Sequence, residues 1–242
     1  MKDNFSGHSS DYAKFRPEYP AEVYTFLKEN LSGFDCAWDC GTGNGQVASR
    51  LADFFNLVEA TDISQPQLKN AIQKNAIHYS LQPAEKVNFP DAVFDLVICG
   101  QSVHWFDFAA FFSEATRCLK KGGLLVLMGY GLIRGNQAFN QVMDHFYQNI
   151  IGPYWDPERR HLDNEYQDIP FPFEEIPAPK LDLSLKWDIT HLLGYLRTWS
   201  AVKHYEKAHG KDPVQIVEKD LKNSFGNSGS VKFPIILRAG RA

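Results

Sequence analysis

The chain has 242 residues, of which 44% are hydrophobic and 22% charged, and a formal net charge of −4. That length suits a single α/β domain with a sizeable core, and a slightly acidic chain without a long basic run is a poor partner for nucleic acid. No apolar run approaches the ~18 residues of a membrane helix, and the polar start (Lys2, Asp3, Asn4, Ser6, His8) does not read as a signal peptide, so a cytoplasmic protein with no membrane and no protein partner is expected.

In chain order, residues 1–20 form an aromatic, proline-punctuated leader, and 21–30 read as a helix. A short apolar run at 34–38 reads as a buried strand, and 46–54 as a helix with Val47, Leu51 and Phe54/Phe55 on one face. A second apolar run at 57–61 ends in Asp62, and a third strand falls near 78–81. The fourth strand closes at Cys99, 108–118 reads as a helix, and 124–128 as strand five, ended by Gly129-Tyr130-Gly131. Helical spacing of Phe139, Val142, Met143, Phe146 and Ile150 predicts a helix over 136–150. Residues 151–180 are rich in proline, tryptophan and charge, and read as an ordered insertion. Period-two alternation marks a strand at 181–187, followed by helices at 189–208 and 214–223, a turn at 226–229 and a last strand at 231–239. Strands alternating with helices argue for a parallel sheet covered on both faces.

The stretch Trp38-Asp39-Cys40-Gly41-Thr42-Gly43-Asn44-Gly45-Gln46 sits between the first strand and its helix. Glycine lets a ligand approach bare backbone, and the amides of the helix start face that ligand. Asp62, 21 residues past Gly41, can accept hydrogen bonds from both hydroxyls of a ribose. An adenosine-type cofactor follows. Gly41 and Gly43 fit the first two positions of the dinucleotide fingerprint, but its third position holds Gln46, and the extra glycine comes one residue early at Gly45. Asp39 adds negative charge that would repel a pyrophosphate and suits a cationic ligand.

S-adenosylmethionine carries an ammonium and a sulfonium and no phosphate. The pattern Asp39-x-Gly41-x-Gly43-x-Gly45 resembles motif I of the class I S-adenosylmethionine-dependent methyltransferases. The run Ala84-Glu85-Lys86-Val87-Asn88-Phe89-Pro90-Asp91 leading into strand four, the loop Gln101-Ser102-Val103-His104-Trp105-Phe106, and the turn Leu119-Lys120-Lys121-Gly122-Gly123 resemble that superfamily too. The leader Tyr12-Ala13-Lys14-Phe15-Arg16-Pro17-Glu18-Tyr19-Pro20 and the later Tyr195-Leu196-Arg197-Thr198-Trp199-Ser200 are similar to the trans-aconitate/farnesoic-acid group within it. The resemblance implies a Rossmann-like, doubly wound α/β fold of seven strands with a terminal antiparallel hairpin. It implies one methyltransferase domain over 1–242, a lid at 1–20, and substrate-covering insertions at about 130–180 and 189–230. S-adenosyl-L-methionine would be held by Asp39, Cys40, Gly41, Thr42, Gly43, Asp62, Ile63, Ala84, Glu85 and Gln101, with Tyr12 and Arg16 closing from the leader. Glu85 would lie at the adenine.

His104 is the one obvious base in the expected site, or else a helix cap or backbone contact. Trp105 is a pocket wall or plain core. Arg16 pairs with a carboxylate of cofactor or substrate, or sits at the surface before its proline. Tyr19, Arg197 and Trp199 join them as candidates for holding a small-molecule substrate, while Arg197, Trp199 and His204 are equally explained by a solvated face and a buried anchor. Asp163/Glu165 and Glu174-Glu175 read as solvated charges. The four cysteines (Cys36, Cys40, Cys99, Cys118) form no C-x-x-C pair and read as reduced structural thiols, so no metal site is expected. Methyl transfer to a small molecule, possessing a carboxylate by preference, is the leading function. An NAD-dependent oxidoreductase and a non-catalytic binding protein on the same fold are the alternatives.

Overall fold

The computed structural model describes residues 15–242; expectations for Tyr12 and for most of the leader fall outside them. Helix α1 (Ala21–Asn30) precedes β1 (Cys36–Cys40), α2 (Gln46–Leu51), β2 (Leu57–Asp62), α3 (Gln65–Lys69) and β3 (Ile77–Leu81). Then come β4 (Phe94–Gly100), a 3-10 turn (Val103–Trp105), α4 (Phe108–Cys118) and β5 (Leu119–Tyr130). The second half contains α5 (Gln137–His145), α6 (Arg159–Asp163), β6 (Glu174–Ile176) and β7 (Leu181–Asp188), then α7 (Ile189–Arg197), α8 (Ser200–His209), α9 (Val214–Phe225) and β8 (Ser228–Arg241).

The sheet runs β3-β2-β1-β4-β5-β8-β6. Strands β1 to β5 are mutually parallel, and β8 is antiparallel to β5, with Leu124 opposite Arg241 and Tyr130 opposite Ile235. On its other edge β8 pairs with β6 at Ala239–Arg241 and with β7 at Ser228–Ile235. Among the described residues eight strands thus fill seven positions, the last shared by β6 and β7 in line. This is the Rossmann-like, doubly wound sheet with antiparallel strands at its end. All five residues of β1 and six of the seven in β4 are buried, as parallel strands covered on both faces must be. One core packs α1, α2 and α7 to α9 against Leu96, Ile98 and Val126. The other packs α4 against Trp38, Phe94, Val97 and Leu125.

The order in which strands are added to the sheet reverses between β1 and β4. At such a switch point the loops leaving the two strands part and open a crevice. Asp95 pins the opposite end of the pair. Its Oδ2 accepts the N–H of Asp35 (2.9 Å) and of Cys36 (3.0 Å), and its Oδ1 binds Lys120 Nζ at 2.8 Å. Burial pushes the carboxyl's pKa up, but Lys120 and the two amides hold it below the ordinary range.

Two expected helices differ in outcome. The helix expected over 189–208 is broken at Thr198 and Trp199. The Thr198 hydroxyl donates to Tyr195 O at 2.6 Å, a local bond that competes with the helical ladder. Trp199 takes extended backbone and buries its ring. The helix expected over 136–150 ends at His145 and finishes in a π turn, Phe146–Ile150, with Phe146 in the core. The short strand β6 has no period-two signal because only three residues pair.

Candidate active site

The loop after β1 is built by hydrogen bonds to the end of β2. The N–H groups of Gly41 and Thr42 both donate to Thr61 O at 2.9 Å. Below the loop, Asp39 is buried. Its Oδ2 accepts Thr42 Oγ1 at 2.6 Å and Ala48 N at 2.9 Å. Its Oδ1 is buried with no hydrogen-bond partner among the described residues. Burial pushes the Asp39 carboxyl up to about 7, opposed by those two hydrogen bonds and assisted by the charge of Asp62. The glycines have separate reasons. A Cβ on Gly41 would sit 2.6 Å from Ser102 Cβ, and one on Gly45, at φ +79, 2.1 Å from the Tyr79 hydroxyl. The glycine one residue early at 45 therefore makes room for Tyr79, which caps Ile72 O at 2.6 Å.

Asp62 closes the opposite side. Its Oδ2 accepts Gly43 N and its Oδ1 accepts Ser64 N, both at 2.8 Å. Between these loops and the end of β4 lies a cleft with about 850 Å³ of empty space. Its walls include Gly43, Asp62, Ile63, Gln101, Trp105 and Tyr130. Gln67 also reaches it, with its side-chain Oε1 buried and without a hydrogen-bond partner among the described residues. Gln101 adopts φ +58 at the end of β4, sparsely populated for a residue with a side chain. The surroundings hold it there: its N–H donates to Met128 O (2.8 Å) and its Oε1 accepts Tyr130 N (2.9 Å).

A second cavity of about 430 Å³ adjoins the first. Arg16, Gln101 and Trp105 line both, and His104, Trp155, Arg159, Trp199 and Ser200 complete the second. His104 is buried, stacks on Tyr166 and places its Nδ1 3.4 Å from that hydroxyl. Burial, with the positive charges of Arg159 and His161, pushes its pKa down to about 3. The imidazole is neutral throughout the physiological range.

The structure gathers Gly41, Thr42, Gly43, Asp62, Ile63, Gln101, Arg16, Tyr19 and Trp105 around the first cleft, and His104 and Trp199 around the second. Cys40 is buried and contributes its carbonyl, which accepts Ser102 Oγ at 2.8 Å. Ala84 is buried in the core, and Glu85 accepts Asp107 N at 3.1 Å; neither lines either cavity. Arg16 donates to Tyr130 Oη (2.9 Å) and to Thr198 O (3.3 Å). Arg197 lines neither cavity and pairs with Asp212 at 2.8 Å. Asp163, expected to be merely solvated, accepts Tyr147 Oη and pairs with Arg159. Glu175 likewise pairs with Arg238. Arg159 and Trp155 had no local signal in sequence: Trp155 lies in the loop after α5, and Arg159 opens the one-turn helix α6 within the same proline-punctuated stretch. Tyr130 did have one: it ends a parallel strand beside the switch point. All four cysteines are free and buried. Among the described residues there is no cluster of three metal-ligating side chains, and no helix is long and apolar enough to cross a membrane.

Comparison with known proteins agrees with this arrangement. Residues 38–127 match the family model described as a methyltransferase domain. The chain is 34% identical to a Dictyostelium discoideum protein provisionally named a methyltransferase, over 97% of this chain and 93% of that one. A solved structure from Anaeromyxobacter dehalogenans, provisionally named a type II methyltransferase, superposes with a TM-score of 0.87 at 36% identity, covering 94% of this chain and 98% of its own. Methyltransferase cfoB of Aspergillus candidus is 26% identical over 70% of this chain and 63% of its own length. The chain belongs to the S-adenosylmethionine-dependent methyltransferases.

Proposed function

We propose that this chain binds S-adenosylmethionine in the first cleft and methylates a small molecule, a carboxylate by preference, seated in the second cavity. The observation that carries this reading is the shared wall of Arg16, Gln101 and Trp105, which makes the two cavities abut. The first cleft suits the methyl donor on several counts. The buried, unpartnered Oδ1 of Asp39 lies behind the glycine loop and favours a cation nearby. Asp62, in the wall of the cleft, is a carboxylate acceptor of the kind that takes the two hydroxyls of a ribose. The Trp105 ring can face a sulfonium with cation–π attraction of ~0.5–2 kcal/mol.

When bound, that cofactor supplies an electrophilic methyl carbon on a sulfonium. The shared Arg16–Gln101–Trp105 wall would present an acceptor oxygen in line with that carbon, and sulfur would keep the electron pair of the carbon–sulfur bond. The chain's task is alignment and exclusion of water, and orientation of this kind lowers barriers by ~7–11 kcal/mol in well-aligned systems. Among the described residues lining the second cavity, His104 is the one side chain that could take a proton, and with a pKa of about 3 it is a feeble base at pH 7. A carboxylate is already deprotonated there, and its methylation releases no proton. The leader's similarity to the trans-aconitate/farnesoic-acid group points the same way.

The test is turnover of labelled S-adenosylmethionine against panels of small carboxylic acids, phenols and amines. Base-labile methyl esters are the expected products. Labelled phenol ethers or methylamines alone would refute the carboxylate assignment. Calorimetry with S-adenosylmethionine against NAD tests the cofactor separately.

A further inference from the structure

Arg159 lines the second cavity and not the cleft beside the glycine loop. Its side chain is only 17% exposed. Its Nε donates to Tyr147 Oη at 2.9 Å and lies 3.2 Å from Asp163 Oδ1. Tyr147 in turn donates to both oxygens of Asp163, at 2.7 and 2.9 Å. The guanidinium lies over the Trp155 ring, 4.7 Å from its centroid. Every one of these contacts uses the Nε edge or the flat face. Neither terminal nitrogen has a hydrogen bond among the described residues. The group is oriented as a rigid fork whose end is left for something else.

Two further observations say what that is. The indole N–H of Trp155 is buried and has no acceptor among the described residues, and buried donors are rarely left so. The eight side chains and backbone segments lining the cavity include two arginines and no carboxylate. Arg16 already spends donors on Tyr130 and Thr198. Three indoles, Trp105, Trp155 and Trp199, supply most of the apolar wall, with Trp155 and Trp199 centred 5.5 Å apart.

We propose that Arg159, held by Tyr147 and Asp163, and the Trp155 N–H form the anion-binding end of this cavity, taking a carboxylate carried on a flat or apolar body. A planar carboxylate matches the guanidinium fork, two parallel N–H···O bonds at a time. An indole donor beside it can complete the shell of one oxygen. This inference rests on the reading of the second cavity as the acceptor's, and it assigns recognition of the acceptor to Arg159 rather than to Arg197. Arg159 is here a specificity-determining residue with no part in proton transfer.

The experiment is calorimetry on the full chain saturated with S-adenosylhomocysteine, using benzoate and benzamide as probes. Benzoate should bind wild type about tenfold or more tightly than benzamide, the scale of a charge-assisted pair. Arg159→Met should abolish that preference, and Arg159→Lys should recover only part of it, because an ammonium lacks the fork. Trp155→Phe, which keeps an aromatic face for Arg159 but has a smaller ring and no N–H, should weaken benzoate severalfold and benzamide much less. S-adenosylhomocysteine affinity should be the same in all four proteins, which reports an intact fold. Equal binding of benzoate and benzamide to wild type, absence of benzoate binding, or an unchanged preference in Arg159→Met overturns the proposal. Failure of S-adenosylhomocysteine itself to bind wild type overturns the functional reading instead.

Discussion

Asp62 Oδ2 accepts the backbone N–H of Gly43 at 2.8 Å, so the acid at the end of β2 shapes the glycine loop before it meets any ligand. Replacing Asp62 by Ala removes a loop tether and the proposed ribose acceptor together. Affinity for S-adenosylhomocysteine should fall by ~1–3 kcal/mol, the range for hydrogen bonds to a charged group. Gly43 tests the same unit from the other side. A Cβ there meets no protein atom within 4 Å, and the space it would enter borders the cleft. Gly43→Val should therefore block binding while the left-handed strain at φ +56 costs the fold only about 1–2 kcal/mol of stability. Calorimetry and thermal melts on both variants check this. Unchanged affinity in both would show that the cofactor lies elsewhere.

Asp39 makes stability and binding depend on pH in a set direction. Its carboxyl has a pKa of 3.8 when solvated and about 7 in the folded chain. Below pH ~4 both states hold the proton and no difference arises. Between ~4 and ~7 the unfolded chain loses the proton and the folded one keeps it, so stability falls as pH rises, then levels off. Asp39→Asn keeps an oxygen for Thr42 and Ala48 and should flatten that part of the melting-temperature profile. A cationic ligand beside Asp39 should bind more tightly as pH rises toward 7 and release a proton below it. Calorimetry at pH 6 in buffers of different ionisation enthalpy measures that release; none in wild type, or the same in Asp39→Asn, would rule Asp39 out.

His104 should leave no mark on the pH profile of turnover. With a pKa of about 3 it does not titrate between pH ~5.5 and ~8, where an ordinary histidine would. At saturating cofactor, kcat should be flat there for wild type. His104→Ala should lower kcat far less than the ~10²–10⁴-fold that a proton-transfer role supplies, through loosened packing against Tyr166. A limb near pH 6–7 that vanishes in His104→Ala would make His104 a base and the acceptor a phenol or amine.

The first half of the chain was the more legible in sequence. Asp39, the glycines and Asp62 are close together along the chain, and their roles follow from a local strand–turn–helix unit. Helix α4 was readable to its ends because Asp107 caps it, accepting Ala110 N at 3.0 Å. The second half depends on long-range packing. Trp199 and Thr198 break a helix whose pattern continues through them, because the core beneath needs the indole. Arg159 and Trp155 reach the second cavity from a proline-punctuated stretch without periodicity, so nothing local marked them. Arg197 was marked by its neighbours Tyr195 and Trp199, yet it sits on the solvent side of α7 while Tyr195 is buried. A helix shows which residues share a face, but not which face meets a cavity assembled from other segments.

Arg197 and Arg16 should therefore behave oppositely on substitution. Arg197 is 38% exposed, donates to Asp212 at 2.8 Å and lies 3.9 Å from Glu218, an arrangement that links α7 to α9. A pair so open to solvent contributes no more than about 1 kcal/mol. Arg197→Ala should lower the melting temperature slightly and leave the acceptor's KM unchanged. Arg16 joins the end of β5 to the break before α8 through Tyr130 and Thr198 and lies 5.5 Å from the Tyr195 ring centroid. Because it lines both cavities, Arg16→Ala removes a charged donor that both ligands can reach. Loss of hydrogen bonds to a charged group predicts a ~10–100-fold rise in KM for the acceptor, the cofactor or both. Steady-state kinetics with each substrate varied in turn separates the two, and melting curves separate both from misfolding. An acceptor KM raised in Arg197→Ala as much as in Arg16→Ala would place Arg197 back at the substrate and make its ion pair with Asp212 a feature of the ligand-free chain.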